Sequence, residues 1–147
     1  MRIYFRRINM NRRLARENAF CLIFEREYQS DIPAEEFFLQ ETENWDFGQD
    51  PYIKNVFFGT DEKQSELDSL IAKYAIGWKN NRLSKVSLAI MRLCIYEMLY
   101  LDDVPGPSAI NEAIELAKKY DYDSASSFIN GILNAVYKAS ILEAKGE

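Results

Sequence analysis

Residues 83–100, LSKVSLAIMRLCIYEMLY, would place apolar side chains on almost every face of a helix. Val86, Ile90 and Leu93 fall along one side, and Leu88, Met91, Ile95 and Met98 along another. A surface helix needs one apolar stripe, whereas a helix apolar nearly all round must be enclosed by other elements. The segment therefore predicts the central helix of an all-α domain. Asp102, Asp103, Pro105, Gly106 and Pro107 stop it, because proline lacks a donor and glycine weakens a helix. Beyond them Ile110, Ala113, Ile114, Ala117 and Tyr120 recur at helical spacing. After the polar Asp121-Tyr122-Asp123 turn, Ser124 is placed to cap a last helix. That helix carries Phe128, Ile132 and Ala135 in one row and Ile129, Leu133 and Val136 in another.

Upstream, a first helix is predicted from about Asn11 to Tyr28, with Ala15, Ala19, Leu22 and Ile23 as its core stripe. Pro33, Glu35 and Glu36 open a short helix bearing Phe37, Phe38 and Leu39. Trp45 to Asp50 reads as loop, and Pro51 to Phe58 as a short helix ended by Gly59. Thr60 is expected to cap a longer helix with the stripe Leu67, Leu70, Ile71, Tyr74, Ala75 and Trp78. Asn80 and Asn81 link it to the central helix. Seven helices and no convincing strand result, with no internal repeat or low-complexity tract.

A chain of 147 residues, 48% hydrophobic and 28% charged, suits one soluble domain, assigned to residues 11–143. Residues 1–10 read as an N-terminal arm, either disordered or an upstream start, and lack the pattern of a secretion signal. No apolar run approaches the roughly 20 residues of a membrane span. Cys21 and Cys94 have no ligand spacing and read as buried thiols of a reducing cytoplasm. The absence of histidine removes histidine-dependent triads, histidine general bases and most zinc-site types. No carboxylate pair stands out from the helix faces. The expectation is a non-enzymatic protein without metal or cofactor.

Charge divides the chain. Residues 1–16 hold six arginines and no acid, while the remainder holds 12 basic and 23 acidic side chains, a net −11. A basic end on an acidic body suggests a polyanion at one and a basic protein at the other; scattered surface acid that merely aids solubility is the competing account of the body. On the first helix Arg13, Arg16, Phe20 and Phe24 share one face, and Arg12 sits one turn before Arg16. Guanidinium groups pair with phosphates and aromatic rings stack on unpaired bases, so the helix suits single-stranded RNA. For Phe20 and Phe24 a place in the core is the stronger reading of the residues alone. The arginines have no apolar duty to perform.

Four segments carry a family resemblance: RRLARENAFCLIF, RLSKVSLAIMRLCIYEMLYLDDVP, AINEAIELAKKY and FINGIL. In this order and spacing the chain resembles the NusB family of bacterial transcription antitermination factors over about residues 11–137, with residues 31–58 contributing little. The resemblance implies seven helices as two three-helix bundles sharing one core, packed roughly crosswise. It implies binding of boxA RNA in nascent ribosomal transcripts, together with NusE, a small-subunit ribosomal protein, within an RNA polymerase antitermination complex. Arg12, Arg13, Arg16 and Phe24 become RNA-contact candidates, and Phe128 a ring that stacks on a base. From the residues alone, Phe128 starts an apolar row and reads as core. The family includes monomers and dimers that bury the RNA face, so a homodimer is among the states allowed.

Gly131 reads as a point of close helix approach, with Asn130 tying the crossing. Pro105 to Ser108 lacks the basic residues usual in the family's loop, and Ser124 to Ser127 lacks the charges usual in its turn. RNA binding is therefore expected to lean on the N-terminal arginines. A related alternative is the RNA-binding part of an rRNA cytosine methyltransferase, which requires the chain to be a fragment. A helical interaction domain without RNA binding is a third reading.

Overall fold

The computed structural model describes residues 11–45, 50–76 and 83–143. These residues form seven α-helices and no strand: α1 Arg12–Arg26, α2 Ala34–Thr42, α3 Pro51–Glu62, α4 Gln64–Tyr74, α5 Lys85–Tyr100, α6 Gly106–Tyr120 and α7 Ala125–Tyr137. A π-helical turn, Lys138–Leu142, continues α7. The chain divides into two compact units, Met1–Glu62 and Lys63–Glu147. The expected arm at residues 1–10, Trp78 and the Asn80-Asn81 link lie outside the described residues, as does most of the loop before α3.

In the first unit α1 packs on α2 and α3. Asn11 caps α1, its Oδ1 accepting from Leu14 N at 2.9 Å. Asp50 does the same for α3, accepting from Ile53 N at 3.0 Å, with Pro51 in the first turn where a missing N–H costs nothing. Phenylalanines bind α2 to α3: Phe37 stacks on Phe57 with centroids 5.6 Å apart, and Phe38 meets Phe57 and Phe58 at 5.4 and 5.0 Å. Arg26 closes the last turn of α1. It pairs with Asp61 of α3 at 2.9 Å and donates to Gln29 O and Ile32 O at 2.9 and 2.6 Å.

Gly59 does not end α3, and Thr60 does not cap α4. The helix runs on to Glu62 because Ile53, Val56, Phe57 and Thr60 form one inward row, all buried. That packing exceeds the roughly 1 kcal/mol cost of an interior glycine. Thr60 Oγ1, buried in this row, has no hydrogen-bond partner.

In the second unit α5 packs against α4, α6 and α7, as its apolar circumference requires. Residues 89–98 are buried without interruption. The polar members are matched locally: Arg92, 5% exposed, forms a two-pronged pair with Asp68 of α4 at 2.7 and 3.0 Å. Ser84 caps α5, accepting from Ser87 N at 2.9 Å, and both hydroxyls donate to Asp121 at the end of α6. Cys21 and Cys94 are buried and form no disulfide.

Three further expectations are corrected. Ser124 makes no side-chain cap, because its φ of −75° and ψ of −12° are already helical. Gly131 is exposed rather than pressed against a helix, and Asn130 is bonded within α7 by Asn134 Nδ2 at 2.9 Å. The glycine that does serve close approach is Gly106, where a Cβ would collide with the Tyr137 ring.

Candidate nucleic-acid interface

Asn11 starts α1 so that Arg12 and Arg13 fall in its first turn and Arg16 one turn later. No acidic residue occupies that first turn. The helix dipole already places partial positive charge there, so three cations add to an unfavourable field that an anion relieves. The arrangement is therefore poorly suited to isolated stability and well suited to phosphate.

Burial separates the arginines. Arg12 and Arg13 are exposed, whereas Arg16 is 7% exposed. This departs from an open arginine face, and the physical reason lies in α3. The Arg12 guanidinium carbon stands over the Tyr52 ring at 4.3 Å from its centroid, and that of Arg16 at 5.9 Å. One half-buried tyrosine thus meets two arginines a helical turn apart.

The aromatic candidates separate as well. Phe20 is fully buried and belongs to the core of the first unit. Phe24 is half-buried; its ring lies 6.4 Å from Phe20 and 5.4 Å, edge-on, from Tyr28. Tyr28 is 62% exposed. Phe128, in the first turn of α7 in the second unit, is 8% exposed, which agrees with its apolar row. A ring so placed offers little area for stacking unless it turns outward.

Tyr52 and Tyr28 were not singled out by sequence reasoning. Tyr52 follows Pro51 outside the inward row of α3, and nothing in its spacing points to arginines far back along the chain. Tyr28 follows Phe24 at i, i+4 spacing, a signal that could have been read. Among the described residues no group of three or more histidine, cysteine, aspartate or glutamate side chains could hold a metal ion. No helix among them is long and apolar enough to cross a membrane.

The model of the NusB family matches residues 13–138. The chain is 46% identical over 139 residues to the transcription antitermination protein NusB of Acetivibrio thermocellus, covering 93% of this chain and 95% of that protein. It is 46% identical over 133 residues to the protein of the same name from Clostridium perfringens, covering 88% and 98%. Among solved structures, NusB of T. maritima superimposes with a TM-score of 0.80 at 33% identity, over 95% of this chain and 99% of that one. A complex of the antitermination factors NusB and NusE with double-stranded RNA contains a chain matching at a TM-score of 0.70 and 29% identity, over 87% and 96%. With sequence, helix order and structure in agreement along nearly its whole length, the chain belongs to the NusB family.

Proposed function

We propose that this chain is a non-enzymatic transcription antitermination factor that binds boxA-type RNA of nascent ribosomal transcripts together with NusE. The observation that carries this reading is 46% identity to an antitermination protein across 93% of the chain. The arginines at the positive end of α1 support the RNA side of it. A body of net charge −11 beyond residue 16 suits a basic ribosomal partner. The related NusB and NusE complex with RNA supports the same pairing. The proposed setting is the cytoplasmic RNA polymerase antitermination complex.

Arg12, Arg13 and Arg16 neutralise phosphates, Phe24 offers a ring further along the same helix, and Phe128 stacks on a base after turning outward. Fluorescence anisotropy of labelled boxA RNA, with and without NusE, tests this. Single-stranded RNA binding loses about 0.7 of logarithmic salt slope per phosphate contact, so replacing the three arginines by alanine lowers the slope by roughly 2. Phe128→Ala weakens binding by about 1–3 kcal/mol with the slope unchanged. A folded triple arginine variant that keeps both affinity and slope sinks the RNA reading. A duplex of the same sequence, titrated in parallel, shows whether stacking on unpaired bases contributes. A homodimer that buries the arginine face competes with RNA, and light scattering with and without RNA measures it.

A further inference from the structure

The arginine pair has a support that its own helix does not supply. Arg12 and Arg16 stand over one face-bearing residue, Tyr52, at 4.3 and 5.9 Å. Tyr52 belongs to α3, whose next residue, Ile53, is fully buried and whose Val56 and Phe57 are buried as well. The ring is therefore carried on a fixed element, whereas Arg12 is an exposed side chain in the first turn of α1.

Two consequences follow from elementary electrostatics. The negative face of the ring offsets part of the repulsion between two cations one turn apart at the positive end of a helix. A cation–π contact itself uses no carbonyl or carboxylate acceptor, so it does not compete chemically with a guanidinium–phosphate hydrogen bond. A free arginine loses rotamer freedom when it captures a phosphate; one already leaning on a ring loses less.

We propose that Tyr52 is a positioning residue for RNA binding, holding the exposed Arg12 in readiness for a phosphate, with the buried Arg16 against the same ring. This rests on the arginines being RNA contacts, as proposed above. Tyr52 acts through the arginines and does not itself meet the RNA.

Anisotropy of labelled single-stranded boxA RNA supplies the test. Tyr52→Leu weakens binding about two- to fivefold, the size of an exposed cation–π contact. Its salt slope stays unchanged, since every arginine charge remains. Tyr52→Phe keeps the ring and recovers most of the affinity. In the Arg12→Ala, Arg16→Ala background, Tyr52→Leu has no further effect. A further loss in that background means the ring touches RNA directly and overturns the proposal. So does a Phe variant as weak as Leu, or a well-folded Leu variant that binds normally.

Should Tyr52→Leu fail to fold, the unaltered protein still decides. The Arg12 side-chain protons are expected to be shifted upfield by the ring, both free and saturated with RNA. Unshifted Arg12 resonances overturn the proposal. Failure of the underlying RNA reading looks different: the upfield shift persists, yet the triple arginine variant binds RNA as before.

Discussion

Helix α1 in the first unit and helix α5 in the second each bury a continuous stretch, residues 15–23 and 89–98. Their chemistry differs. Eight of the ten residues in the α5 stretch are apolar, and Arg92 is answered directly by Asp68. The buried stretch of α1 begins with Arg16, Glu17 and Asn18 in succession after Ala15. Asn18 Nδ2 donates to Leu14 O at 3.0 Å, but its buried Oδ1 has no partner. Desolvated polar groups cost free energy that apolar ones return, so α5 is a structural strut and α1 a helix held in place by specific contacts. The end of α1 at which the helix dipole disfavours cations is the end that carries the arginines.

The sharpest test of the strut is Leu93→Ala, 1% exposed in mid-α5. It is expected to cost about 2–5 kcal/mol of stability, read from the midpoint of urea unfolding. A loss below that of an ordinary surface change would mean that α5 is not the centre of its unit.

Arg26→Ala tests the polar tether of the first unit. It removes the Asp61 pair and two bonds to backbone carbonyls, and is expected to cost about 2–3 kcal/mol. Hydrogen exchange should rise in the turn at residues 27–32 first; unchanged protection there contradicts the assigned role.

Gly106→Ala follows, at about 1–3 kcal/mol, because the added methyl must displace the Tyr137 ring. Restoration of stability by combining it with Tyr137→Ala would confirm the collision, and simple additivity would argue against it.

Two smaller changes are expected to stabilise. Thr60→Val removes a buried hydroxyl without a partner and should raise stability by about 1 kcal/mol. Gly131→Ala, at an exposed position inside α7, should add about 0.5–1 kcal/mol. A loss at Gly131 by thermal melting would restore the close approach that the sequence suggested.

The contrast between the helices also marks what was legible in advance. Apolar periodicity identified α5, α6 and α7 with their inward rows, because helical spacing converts directly into a buried face. It placed α1 and the Phe37-Phe38 pair of α2 for the same reason. The arginines of α1 were recognisable as a cluster, since charge concentration is a property of composition along the chain. Local rules misled where burial overrode them: Gly59 lies inside α3, and Thr60 faces inward with its row.

By itself, then, the sequence determined the all-α class, the enclosure of α5, the order of the helices and the basic start of α1. These depend on residues near one another in the chain. Tertiary structure decided that Arg16 is buried while Arg13 is exposed, that Gly106 rather than Gly131 meets a neighbour, and that Tyr52 stands beneath two arginines. Each of these requires two elements to meet. A helical period states which face turns inward, but only packing states what it finds there.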